Sequence, residues 1–205
     1  ESIVEIYAKN KNFDLIYRKK QFVDKIGDLS FIISPKSFFQ VNKYNTSLLY
    51  DTAKQMMNAE ANDRILDLYC GIGTTTMYIA NGNNTIGVEV VKDAVKDANQ
   101  NKKLNNLQSI QFIEEKSENV VGKLTKEHFD IILVDPPRKG MDEKVVDAII
   151  KSTAKKLVYI SCDPATLARD LKLLTENGFG VEDVKLVDMF QKTMHVESVV
   201  LMSRK

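Results

Sequence analysis

The sequence predicts an α/β fold, a doubly wound and mostly parallel seven-stranded sheet with an antiparallel C-terminal strand. Three observations carry it. From Arg64 onward short apolar runs, at about 64–69, 85–89, 110–114, 130–134 and 156–161, alternate with helical stretches near 75–80, 91–105, 117–123 and 143–153. Such alternation, with right-handed crossovers, builds a parallel sheet. The first run enters a glycine turn, Gly71-Ile72-Gly73, and then a helix. The last two runs, about 181–189 and 194–202, lie close enough in sequence to form a hairpin.

Taken in order, residues 1–34 differ from the rest. Short alternating stretches at 2–8, 13–17 and 29–33 are separated by Asn- and Lys-rich turns, which reads as a small antiparallel appendage. Arg18, Lys19 and Lys20 lie near Asp14, Asp24 and Asp28, so a solvated turn accounts for them. The main domain is then 35–205. It opens on Ser37-Phe38-Phe39-Gln40-Val41-Asn42 and a helix over about 45–58, with Leu48, Leu49, Thr52 and Met56 on one side. The two Phe residues read as core, whereas Gln40 is a polar residue at an element boundary and needs a reason. Ile65, Leu66 and Leu68 form a buried strand, and Gly71 and Gly73 let the backbone turn tightly and approach a ligand. Near the end, Asp163 is placed to cap a helix over 164–176 that begins with Pro164 and is closed by Asn177-Gly178.

Composition narrows the function. With 205 residues and 43% apolar side chains, the chain suffices for one well-buried domain plus a small appendage. A net charge of +1, with both signs interspersed, gives no whole-molecule field for nucleic acid, so any such contact belongs to a local face. Cys70 and Cys162 each end an apolar run, with neither metal spacing nor a disulfide framework, which fits a reducing, cytoplasmic setting. No apolar run approaches the length of a membrane span. A start at Glu1 rather than Met points to a fragment.

In sheets of this kind ligands bind beyond the carboxyl ends of the strands. The polar residues there are Tyr69, Glu89, Asp135, Ser161 and Cys162. Glu89 follows Gly73 by about sixteen residues, where an acid grips ribose hydroxyls, so an adenosine-bearing cofactor is expected. The third glycine of a dinucleotide site is missing: Gly73 is followed by Thr74, Thr75, Thr76 and Met77. S-adenosylmethionine has no phosphate, and Asp67, Gly71 and Gly73 suit its amino-acid end. Pro136 and Pro137 pin the backbone and so fix Asp135. Cys162 lies just ahead of a helix N-terminus, which favours a thiolate, while Cys70 reads as a small buried hydrophobe. Period two puts His195 and Glu197 on one face of the last strand. Two readings of Glu197 stand: a general base with a raised pKa, or an ion pair with Lys192 or Arg169.

Five motifs in order resemble the RNA 5-methyluridine (uracil-C5) methyltransferases of tRNA and 23S rRNA: residues 37–42, Asp67-Leu68-Tyr69-Cys70-Gly71-Ile72-Gly73, residues 135–140, residues 161–170, and His195-Val196-Glu197-Ser198-Val199. The resemblance implies a Rossmann-like methyltransferase fold with S-adenosyl-L-methionine as cofactor, held by Gln40, Tyr69, Gly71, Gly73, Glu89 and Asp135. It implies Cys162 as nucleophile and Glu197 as base, and an RNA substrate whose target uridine is flipped out, with Phe38 or Phe39 stacking on it. A monomer without membrane contact is expected. Asp163 stands where the family often has Asn, and Thr74 where an Asn touching the cofactor is common. Residues 1–34 then look like the remnant of a preceding domain. The alternatives are a methyltransferase acting on an amino group or small molecule, and a non-catalytic cofactor-binding RNA module. Amino-group enzymes carry an aromatic after Asp-Pro-Pro, and Arg138 stands there instead.

Overall fold

A computed structural model of the chain describes residues 5–7, 15–18, 21–80, 82–117, 119–120 and 127–205. Two hairpins come first. Strands β1 (Glu5–Tyr7) and β2 (Leu15–Arg18) pair antiparallel, joined by Arg18 and Glu5 at 2.6 Å. Strands β3 (Val23–Ile26) and β4 (Leu29–Ile32) form the second. This second hairpin is built into the main body. Ile26 and Phe31 are core residues, and the backbone of Ser30 and Ile32 is bonded to the side-chain amides of Asn105 and Asn101.

The main sheet contains β5 (Ile65–Leu68), β6 (Thr85–Glu89), β7 (Ile110–Glu114), β8 (Ile131–Val134), β9 (Lys156–Ser161), β10 (Phe179–Val187) and β11 (Glu197–Arg204). Its order is β10-β11-β9-β8-β5-β6-β7. The first five are mutually parallel, and β11 alone runs against its neighbours, inserted between β9 and β10. The predicted seven-stranded plan is therefore found. The order reverses between β5 and β8, which opens a crevice where the two chains leave the sheet in opposite directions.

Every residue of β5 and β8 is buried because both sheet faces are covered. Successive side chains point to opposite faces and divide the core in two. Ile65, Ile131, Leu133 and Ile160 meet the helices α1 (Lys43–Met57), α2 (Thr74–Ile79) and α3 (Lys92–Leu104). Leu66, Ile132, Val134 and Tyr159 meet α4 (Glu143–Lys151) and α5 (Pro164–Glu176) on the other side. The expected cap of α5 is present: the Asp163 carboxylate accepts from Ala165 N and Thr166 N at 3.0 and 3.1 Å.

Two of the expected elements need correction, and one is not tested. The buried face of α1 runs through Thr46, Leu49, Tyr50, Ala53 and Met57, so Leu48 and Thr52 do not belong to it; Met56 does. The helix expected over 117–123 falls largely outside the described residues. The final hairpin is displaced, β10 ending at Val187 and β11 starting at Glu197. The cause is a contact distant in sequence: Asn42 and Asn45 at the start of α1 donate to Met189 O and Asp188 O at 3.0 and 2.6 Å. Those carbonyls are thereby lost to the sheet. His195 consequently precedes the strand, and the period-two argument that paired it with Glu197 does not apply.

Candidate active site

The site is a cavity of about 740 Å³ at the carboxyl edge of the sheet. Tyr69 and Gly71 reach it from the turn after β5, and Glu89 from the last position of β6. Asp135 follows β8 and Cys162 follows β9. Glu197 is the first residue of β11; because that strand is antiparallel, with Ser198 opposite Ser161, its start lies beside the end of β9. Strand direction thus brings the two predicted chemical residues to one edge. Gln40 enters from the segment before α1.

Seven of the eight predicted residues line this cavity, and Gly73 does not. At Gly73 (φ +82°) a Cβ would lie 2.5 Å from Phe112 Cζ and 2.8 Å from Met77 Cε, so its glycine serves core packing at the start of α2. At Gly71 (φ +54°) a Cβ would meet nothing within 4 Å. Ser161 is also turned inward, its hydroxyl bonded to both the N–H and the carbonyl of Asp163. Tyr69 holds a left-handed backbone, φ 69°, uncommon for a non-glycine residue and found where a site constrains the chain.

The sequence reading missed other residues at the cavity. Lys116 and Ser117 stand just beyond β7, where the rule for strand ends applies equally and would have found them. Arg138 and Phe190 sit in loops that carry no periodic signal. Phe38, expected in the core, is 71% exposed at the mouth, whereas Phe39 packs on Phe31 with ring centroids 6.2 Å apart.

Carboxylates dominate the electrostatics. Glu89 accepts from Gly71 N at 3.1 Å and from Val91 N at 2.8 Å, one N–H per oxygen, which leaves acceptor positions on both. Asp67, wholly buried under the glycine turn, has its pKa pushed up to about 7 by burial, offset by the Thr76 hydroxyl at 2.5 Å and reinforced by Glu89. Asp135 is held well above the usual carboxylate range by burial and by the charges of Glu197 and Asp67. Glu197, 4% exposed, is raised by burial, with Arg138 opposing. Among the described residues Glu197 makes no ion pair; Arg169 is engaged with Asp170 at 2.7 Å instead. Two buried acceptors, Gln40 Oε1 and Asp67 Oδ1, have no hydrogen-bond partner among the described residues.

Cys162 departs from expectation. Burial and the carboxylates of Glu197 and Asp135 raise its thiol pKa, and Arg138 works the other way. The helix start does not prevail because Asp163 already occupies it. Its carboxylate takes the Ala165 and Thr166 N–H groups, and those bonds lower its own pKa. Cys70 is buried with its pKa raised well above normal, as suits an inert side chain.

The Asp67 shift has a measurable consequence. A carboxyl that titrates near 3.8 unfolded and near 7 folded keeps its proton longer in the native state, so stability falls as pH rises through that interval. Asp67→Asn should remove this share of the fall. Thermal unfolding of the two proteins from about pH 4 to pH 8 should give curves that diverge upward in pH, the variant staying flatter; parallel curves would exclude Asp67 as the group.

The description tRNA (Uracil-5-)-methyltransferase belongs to the family whose profile matches residues 4–205. The chain is a member of that family. Among curated relatives, an uncharacterized RNA methyltransferase of Lactobacillus johnsonii is 44% identical over 193 residues, 93% of this chain and 43% of the relative. One from Caldanaerobacter subterraneus is 44% identical over 198 residues, 95% of this chain and 44% of the relative. The chain therefore spans less than half the length of these curated relatives. Among solved structures, Pyrococcus abyssi tRNA (uracil-54, C5)-methyltransferase in complex with S-adenosyl-L-homocysteine superposes with a TM-score of 0.84 at 29% identity, covering 98% of this chain and 51% of that one. NSun6 of Pyrococcus horikoshii, at 16% identity and TM-score 0.64, covering 77% of this chain and 52% of that one, shares the fold. Among the described residues no helix is long and apolar enough to cross a membrane, and no group of three or more His, Cys, Asp or Glu residues could hold a metal ion.

Proposed function

We propose that this chain is the catalytic part of an enzyme that methylates uracil C5 in RNA with S-adenosyl-L-methionine, using Cys162 as nucleophile and Glu197 as base. The observation that carries the reading is their convergence: a cysteine beyond β9 and a buried acid opening β11 share one cavity with the glycine turn and Glu89. The cavity fits the cofactor. Gly71 leaves room for close approach, Glu89 keeps acceptor positions for ribose hydroxyls, and the orphaned Gln40 Oε1 awaits a donor. Tyr69 and Asp135 complete the wall, and Gly73 supports the turn from within. Bound there, the cofactor would supply an electrophilic methyl group on a cationic sulfonium, a charge that suits the surrounding carboxylates.

Uracil C5 is a poor nucleophile, so the residues must activate it. The Cys162 thiolate adds at C6, and C5 gains the electron density it lacks. Once C5 is methylated, Glu197 takes its remaining proton and the C6–sulfur bond breaks, returning the cysteine. Burial raises the pKa of Glu197, the direction that strengthens a carboxylate as a base. A stacked uridine must be flipped out to enter such a cavity, and exposed Phe38 offers a surface for its base. Lys116, Arg138 and Lys139 at the lining suit RNA phosphates. The same reading takes tRNA or 23S rRNA as substrate and a cytoplasmic monomer as the working form. Incubation with methyl-labelled cofactor and unmodified cellular RNA, followed by nucleoside analysis, should yield 5-methyluridine. Label on an exocyclic amino group, or none on RNA, would defeat the proposal.

A further inference from the structure

The loop between β8 and α4 carries both Asp135 and Arg138 to the cavity, and α5 grips it from behind. Thr166 Oγ1 donates to Arg138 O at 3.0 Å. One turn further along the helix, Arg169 Nη2 donates to the carbonyls of Lys139 and Met141 at 3.1 and 3.2 Å. Asp170, with no exposed surface, accepts from Met141 N at 2.9 Å and from the Tyr159 hydroxyl at 2.8 Å through one oxygen. Its other oxygen holds Arg169 Nε and Nη2 at 2.9 and 2.7 Å. The fit leaves no slack at Gly140 (φ +75°): a Cβ there would lie 2.5 Å from Arg169 Nη2 and 2.8 Å from Asp170 Oδ2.

An ordinary surface loop needs no buried carboxylate beneath it, and burying one is costly unless its bonds are all made. Here the bonds are directed at the main chain of residues 138–141, immediately after the two prolines that stiffen the start of the loop. Arg138 is the side chain this fixes. Its guanidinium lies 3.4 Å from His195 Nε2 and is a basic group acting on Cys162, Glu197 and Asp163 alike. The other charged groups that bear on the thiol are Glu197 and Asp135, both acidic.

We infer that Thr166, Arg169 and Asp170 are positioning residues, which clamp the loop over 135–141 so that the Arg138 guanidinium faces Cys162 and Glu197. The inference rests on the reading of Cys162 as nucleophile for its meaning, but its test does not. Alkylation of Cys162 by iodoacetamide is followed against pH in the protein alone, with peptide mass spectrometry separating it from buried Cys70. Arg138→Gln should move the midpoint upward by about 0.5 pH unit or more, so that alkylation below it slows roughly threefold. Thr166→Val is mild, since its backbone N–H still reaches Asp163, and with Arg169→Lys it should reproduce most of that change. The double variant Arg138→Gln/Thr166→Val should then show nothing beyond Arg138→Gln. A merely structural clamp predicts a lower melting temperature with the thiol profile unmoved. The inference is overturned if Arg138→Gln leaves the profile where it was, or if folded Thr166→Val and Arg169→Lys keep the wild-type profile. Neither RNA nor cofactor enters the measurement, so a failed methyl-transfer assay and a failed clamp remain distinguishable.

Discussion

Cys162→Ala should abolish methyl transfer to RNA, by on the order of 10⁴-fold or more in single turnover, because without addition at C6 nothing raises the reactivity of C5. The fold should hardly notice. Cys162 is only partly buried and outside the strand, so the melting temperature should stay close to wild type and cofactor affinity should persist. RNA carrying 5-fluorouridine sharpens the test: fluorine cannot leave as a proton does, so the wild-type protein should form an adduct that survives denaturation in the presence of cofactor. Cys162→Ala should form none. An adduct that persists in the variant would move the nucleophile elsewhere.

Glu197→Gln should produce the opposite picture, accumulation rather than loss. Glutamine keeps the shape and a hydrogen-bonding carbonyl but not the basicity, so addition and methylation proceed while release of the cysteine stalls. Denaturing electrophoresis with methyl-labelled cofactor should show a protein–RNA band that carries label and decays slowly, with turnover down by roughly 10²- to 10⁴-fold, the range for a lost general base. If Glu197 only shaped the core, the variant would melt earlier, trap nothing, and lose activity in proportion to its unfolded fraction. An unlabelled band in a folded, cofactor-binding variant would remove Glu197 from the role of base.

Much of the architecture was legible because two periodicities carry it. Continuous burial along β5, β8 and β9 follows directly from apolar runs, and the caps at Asp163 and Pro164 follow from the chemistry of unpaired N–H groups. The shared cavity was legible from the rule that ligands gather at strand ends. Contacts between distant segments were not. Nothing local tells that Asn42 and Asn45 draw the main chain of 188–189 away from the sheet, and so set where β11 begins. Nothing local tells that the glycine at 73 answers to Phe112, thirty-nine residues later, rather than to a ligand. The thiol of Cys162 shows the same limit: the helix ahead is visible in sequence, but the carboxylates across the cavity are not.

The place of β11 bears on how the protein comes into being. Its neighbours on both sides, β9 and β10, precede it in the chain, so a ribosome delivers the two banks before the strand that must lie between them. Until then β10 has no partner in the sheet, and β9 presents an open edge to the crowded cell. Glu197 stands at the head of the late arrival. A nascent polypeptide can thus present Cys162, which follows β9, before Glu197 has been made. The order of synthesis makes Glu197 the last of the cavity's lining residues to be made, and it puts a premium on rapid closure of the gap once residues 197–204 are free.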